Sequence, residues 1–178
     1  MIACILGCLA SGQSIKDSIY TLKLARRGVN IRAGKEVNVL KSISVKDVMN
    51  PEVETIPENI TLRKLAEKIS KSKYSSFPVV SEEANLTGIL TFVDYHDVLF
   101  DENLKDLVVA KEIATTNVVT VSLDDNLYNA MEKITLKDFS ILPVVSPSTQ
   151  SQLLGVLTRR DIIGAYNKAV IKKSIVHG

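Results

Sequence analysis

Apolar residues fall into two alternating rhythms along this chain. At Leu62, Leu65, Ala66 and Ile69 they recur at i, i+3, i+4 and i+7, the spacing of one buried helix face. Leu127, Ala130, Met131 and Ile134 repeat it. Short continuous apolar runs follow each set: Phe77–Val80 and Leu86–Phe92, then Ile141–Val145 and Leu153–Leu157. Runs of that length between polar loops predict strands. A β-rich piece precedes each helix, Val53–Ile56 and Val118–Val121, with Asn59 and Asp124 placed to cap it. A second helix closes each set, over Asp94–Phe100 and Asp161–Lys168. Each set reads β-α-β-β-α.

The two sets are copies of one another. Thr55 stands to Thr120 as Pro78 stands to Pro143, and Ala66-Glu67-Lys68-Ile69 recurs as Met131-Glu132-Lys133-Ile134. Gly88-Ile89-Leu90-Thr91-Phe92-Val93-Asp94 recurs as Gly155-Val156-Leu157-Thr158-Arg159-Arg160-Asp161, two residues later than the first offset. The extra pair falls in the polar loop Ser146–Gln152, where insertion is cheap. One copy alone is marginal in size, so two copies are expected to share a core.

Composition narrows the function. The chain has 178 residues, 46% hydrophobic and 24% charged, which supplies a packed core. Its formal net charge is +2, and aromatics are 5% without Trp. Neither a basic face nor a stacking platform for nucleic acid is expected. Cys4 and Cys8 have no ligand set around them, so no metal site is expected. The apolar run Met1–Ala10 is too short to span a bilayer alone and lacks a basic start. It fits a core helix, a partner-facing helix or the tail end of a transmembrane helix. Ser14 to Gly28 reads as an amphipathic helix, followed by a linker to Ser44.

The two turns carry the candidate chemistry. A carboxylate at a helix start can accept hydrogen bonds from a ribose diol. Asp94 and Asp161 stand there, each with a threonine three residues earlier, Thr91 and Thr158, able to reach a phosphate or sugar oxygen. Helix capping explains the same residues without a ligand. Asp161 differs because Arg159 and Arg160 precede it, and guanidinium groups grip phosphate. Those arginines are alternatively solvated or paired with Asp161. Tyr74 offers a ring for an adenine face, or is a half-buried edge aromatic. The second wall is expected from Lys73–Pro78, and in the equivalent stretch Asp138–Pro143 of the second copy the acidic Asp138 repels phosphate, so one good site and one weaker site are expected. His96 and His177 are far apart, and neither a phosphate loop nor a base beside a nucleophile occurs. No catalysis is expected.

The Pro-Val-Val strands and the two Gly-apolar-apolar-Thr-x-x-Asp turns, from about Val45 to Lys168 with Val45-Lys46-Asp47-Val48-Met49 leading in, resemble tandem CBS domains. The resemblance implies an α+β fold of two β-α-β-β-α repeats in a pseudo-two-fold pair. The segments are 1–44 (helix and linker), 45–103, 104–168 and a tail at 169–178. It also implies an adenine nucleotide, ATP, ADP or AMP, with Mg accompanying it in some cases, in the cleft between copies. The implied site comprises Val53, Thr55, Tyr74, Ser75, Ser76, Phe77, Pro78, Thr158, Arg159, Arg160 and Asp161. A weaker one comprises Thr91, Asp94, Thr120, Ser140, Ile141 and Pro143. Asp17-Ser18-Ile19-Tyr20 through Gly28, with Lys73–Val80 and the Thr158–Asp161 turn, is similar to the cytosolic part of CLC-family chloride channels and transporters. That likeness implies the cytoplasmic side of a membrane and a channel partner whose conducting helices this chain lacks; both resemblances imply a homodimer, formed through the CBS pair. A dimerisation module with empty sites is the alternative.

Overall fold

The computed structural model describes residues 35–99, 101–149 and 151–176. The expectations for Met1–Ala10, for the helix Ser14–Gly28 and for Tyr20 therefore lie outside the described residues.

Helix α1 (Lys35–Lys41) comes first, inside the stretch expected to be a linker. Its Val39 and Leu40 are buried, which is what orders it. A single 3-10 turn follows at Val45–Asp47. The first repeat then forms β1 (Ile56–Pro57), α2 (Leu62–Lys71), β2 (Ser76–Val80), β3 (Leu86–Thr91) and α3 (Phe92–His96). A short helix α4 (Ala110–Ile113) opens the second repeat, which continues with β4 (Val121–Ser122), α5 (Leu127–Lys137), β5 (Ile141–Val145), β6 (Leu153–Thr158) and α6 (Arg159–Val176).

Two three-stranded sheets result, ordered β1-β2-β3 and β4-β5-β6. In each, the first pair is parallel and the second antiparallel. The registers match between copies: Ile56 faces Val79 as Val121 faces Val144, and Val79 faces Gly88 as Val144 faces Gly155. Each β-α crossing is held by a lysine. Lys68 Nζ donates to the Thr55 carbonyl at 2.7 Å, and Lys133 Nζ to that of Thr120 at 2.9 Å.

Several expected boundaries move. The first strands begin later than Val53 and Val118, because pairing with β2 and β5 starts only at Ile56 and Val121. The caps are Thr61 and Asn126 rather than Asn59 and Asp124. A turn intervenes in both copies: Ile60 N–H donates to the Pro57 carbonyl at 3.2 Å, and Asp125 N–H to that of Ser122 at 3.2 Å. Helix α3 stops at His96 instead of Phe100, and Val98 and Leu99 turn back onto the first core. Helix α6 instead runs past Lys168, with 18 residues.

The lead-ins are exchanged. Leu40 and Val45, ahead of the first repeat, belong to the core of the second, with Leu127, Ile134 and Leu157. Ala110, ahead of the second, is buried in the core of the first, with Leu62, Phe77 and Leu90. Backbone pairs make each crossing: Asn50 with Val156, and Thr115 with Ile89, each through two hydrogen bonds of 2.8 to 3.0 Å. This explains the repeated glycine. A Cβ on Gly155 would lie 2.6 Å from the Asn50 carbonyl oxygen, and one on Gly88 would lie 3.0 Å from Ala114 Cβ.

Candidate functional site

Strands β3 and β6 enter their helices without a loop, which fixes the Thr-x-x-Asp turns. Thr158 donates from its N–H at 2.9 Å and its Oγ1 at 2.6 Å to Asp161 Oδ2. Thr91 does the same to Asp94 Oδ2 at 2.7 and 2.6 Å. Both aspartates therefore cap their helices with one carboxylate oxygen.

Their second oxygens part ways. Asp94 Oδ1 accepts from the Thr115 hydroxyl at 3.3 Å. Asp161 Oδ1 has no protein donor among the described residues. The position matching Thr115 is Asn50, whose side-chain oxygen accepts from the Glu52 N–H at 3.0 Å instead. One turn is closed by the lead-in of the other repeat, and the other keeps an acceptor available.

That acceptor borders a cleft of about 580 Å³ between the repeats. One wall is Asn50, Glu52, Val53 and Glu54 with Lys73, Tyr74, Ser76 and Pro78; the other is Val156 and Thr158–Asp161, and Ser140 and Ile141 complete it. A smaller cleft of about 300 Å³ is built from matching positions. Thr115, Asn117, Val118 and Val119 replace the first lead-in, Asp138 and Phe139 replace Lys73 and Tyr74, and Ile89 and Thr91 face them. Ser140 and Ile141 line both, so the clefts share a wall.

The charges of the two clefts differ. Lys73, Arg159 and Arg160 stand with Glu52, Glu54 and Asp161 around the larger. The smaller has Asp138 and otherwise uncharged side chains. Arg159 does not pair with Asp161. Its Nη2 donates to Asp138 Oδ1 at 3.3 Å, and its Nε is buried without an acceptor among the described residues. Tyr74 is 43% exposed at the mouth of the larger cleft, with Lys73 Nζ 5.2 Å from its ring centroid.

Among the residues singled out from sequence, Val53, Tyr74, Ser76, Pro78, Thr158, Arg159, Arg160 and Asp161 come together around the larger cleft. Thr55, Ser75 and Phe77 are not in its lining. Phe77 is fully buried in the first core, the Thr55 carbonyl is taken by Lys68, and the Ser75 carbonyl accepts from the Tyr95 hydroxyl at 3.4 Å. For the weaker site, Thr91, Ser140, Ile141 and Pro143 line the smaller cleft. Thr120 is held by Lys133 and Asp94 by its capping bonds. The reading missed Asn50, Glu52, Glu54 and Val156, while Lys73, expected in the wall that runs to Pro78, lines the cleft as well. Aligning the copies would have found the two glutamates, since Asn117 and Val119 stand in their places. Among the described residues no group of His, Cys, Asp and Glu could hold a metal ion, and no helix is long and apolar enough to cross a membrane.

The comparisons agree with this fold. A curated relative named homoserine O-acetyltransferase, from Methanohalobium evestigatum, is 32% identical over 127 residues, which cover 70% of this chain and 24% of that protein. The chain thus spans about a quarter of that relative's length. The CBS domain pair of protein MJ0100, solved with 5′-methylthioadenosine and S-adenosyl-L-methionine, is 28% identical with a TM-score of 0.58, covering 70% of this chain and 96% of that one. The CBS domain of a bacterial CNNM/CorC family Mg2+ transporter, solved with ATP, has the same fold with a TM-score of 0.63 at 21% identity, covering 74% and 92%. The CBS domain model matches at residues 45–101 and again at 110–168, so the chain belongs to the CBS domain family and carries a tandem pair.

Proposed function

We propose that this CBS pair is a regulatory module that takes one adenine nucleotide, ATP, ADP or AMP, in the larger cleft and acts by binding alone. The observation that carries the reading is the second oxygen of Asp161. It has no protein donor among the described residues, whereas its twin on Asp94 is bonded to Thr115. An acceptor of that kind beside Arg160 and Lys73 suits a ribose diol with an attached phosphate. Asp161 takes the ribose hydroxyls, and Arg160 with Lys73 takes the phosphate. Val53, Pro78, Ile141 and the Tyr74 ring give the base an apolar surface. Any Mg enters with the phosphates rather than on a protein cluster. The adenosyl ligands of the MJ0100 pair and the ATP of the transporter domain support the ligand class.

A homodimer, the cytoplasmic side of a membrane and a CLC-type channel partner complete the proposal. The last two rest on the likeness at Asp17–Gly28, outside the described residues, together with Lys73–Val80 and the Thr158–Asp161 turn, and none of the relatives named above is such a channel. The acetyltransferase name belongs to a protein of which the match spans a quarter, and the module itself is proposed to leave its nucleotide unchanged.

Thermal unfolding with AMP, ADP or ATP tests the reading. A ligand at about 1,000 times its dissociation constant adds about 4 kcal/mol. The expected result is a shift in the wild type that disappears in Asp161→Ala, with the nucleotide recovered intact. No shift with any of the three would favour a dimerisation module with empty clefts.

A further inference from the structure

Arg159 borders the larger cleft, yet its one hydrogen bond given by the structure goes to Asp138, which lines the smaller. The bond is a weak hold. At 3.3 Å it is longer than the roughly 2.8 Å of a strong charge-assisted pair. Asp138 is 75% exposed, so water screens the attraction. The arginine's own end is different: its side chain is 21% exposed, and its Nε is buried with no acceptor among the described residues. Part of a guanidinium is thus desolvated beside the larger cleft with bonding capacity to spare.

The carboxylate is placed by the backbone. Asp138 ends α5 in the left-handed conformation, at φ 54°, and its N–H donates to the Ile134 carbonyl. It follows Lys137 directly and precedes the shared wall at Ser140 and Ile141. It is therefore held at the boundary between the clefts without entering the larger one.

We propose that Asp138 is a specificity-determining residue for the larger cleft, acting on phosphate through its competition for Arg159. A phosphate arriving beside Arg160 must draw Arg159 away from Asp138, so the ion pair lowers the advantage of phosphate-bearing ligands over the bare nucleoside. This rests on the nucleotide reading above, and the experiment separates the two.

Dissociation constants for adenosine and AMP are measured by calorimetry on the wild type, Asp138→Asn, Arg159→Gln and the double variant. Asparagine tolerates the left-handed backbone, so the substitution removes charge with little strain. In Asp138→Asn, AMP is expected to bind up to about fivefold tighter, the value of releasing one exposed ion pair, with adenosine unchanged. The gain is expected to vanish when Arg159→Gln is added. AMP binding weakened in Asp138→Asn would mean that Asp138 presents Arg159 to phosphate, and would overturn the competition. Equal changes for adenosine and AMP would reduce Asp138 to a structural cap and overturn it too. If neither ligand binds the wild type, the nucleotide reading falls and takes this one with it.

Discussion

The turns at Thr91–Asp94 and Thr158–Asp161 share their backbone, their capping bonds and their threonine, and differ in almost everything around them. Phe92 and Val93 stand where Arg159 and Arg160 do, Thr115 where Asn50 does, and Asp138 where Lys73 does. The common part is what a strand needs to enter a helix without a loop. The Thr-x-x-Asp pattern is therefore structural first. On the proposed reading, what separates a ligand-binding turn from a capping one is the lead-in and the two residues inside the pattern, where the copies diverge.

The most forceful way to break this comparison is to remove both aspartates in turn. Asp94→Ala and Asp161→Ala each lose a helix cap, worth about 1 kcal/mol. Only Asp161→Ala is expected to lose the nucleotide-induced shift as well, about 4 kcal/mol near saturation, read as a difference in melting temperature with and without AMP. A ligand response lost equally in both would erase the distinction.

The glycines make a second contrast. Gly155→Ala drives a methyl against a backbone carbonyl at 2.6 Å, whereas Gly88→Ala meets a methyl at 3.0 Å. Overpacking of this kind costs about 1–3 kcal/mol, with the larger loss expected at Gly155 in a urea titration. Equal midpoints would show that the crossing at Asn50 yields as readily as the one at Thr115.

A smaller effect concerns the cation. Arg160→Gln is expected to weaken AMP about tenfold while sparing adenosine, as loss of one charged hydrogen bond allows. Val93→Gln, at the matching and 82% exposed position, is expected to leave both unchanged by calorimetry.

The smallest contrast is a surface clasp. Arg63 Nε and Nη2 meet Asp106 Oδ1 and Oδ2 at 2.7 and 2.6 Å, tying α2 to the connecting segment. In the second copy that helix position is Tyr128, under Lys41 Nζ at 5.1 Å from the ring centroid. The hydrogen bond from Arg63 holds the Asp106 carboxyl below its ordinary value. A depressed carboxylate stabilises the fold above the unfolded value of 3.8 and stops doing so as pH falls through the folded one. The melting difference between wild type and Asp106→Asn should therefore be present at neutral pH and shrink below about pH 3.8.

Much of this was legible because it was written twice. The Pro-Val-Val strands, the buried faces of α2 and α5 and the two turns follow from periodicity and repetition. Where the copies agreed but the cue was local, the reading slipped. Asn59 and Asp124 resemble caps, yet each lies within the turn before the helix, and the caps are Thr61 and Asn126. Phe77 falls within the implied site stretch but reads as a core residue, and it lies in the first core with Val79. The unequal closing helices and the exchange of lead-ins were hidden, since an offset between copies does not say against which copy a segment packs. The two glutamates were visible only as departures from the repeat.

The exchange of lead-ins also sets an order of events during synthesis. The first repeat lacks its Ala110 until the ribosome has passed the connecting segment, and the segment from Leu40 to Asn50, made early, has no sheet to join until β6 emerges. The first repeat closes once Thr115 has emerged, and the early segment from Leu40 to Asn50 stays an open seam until β6 is made.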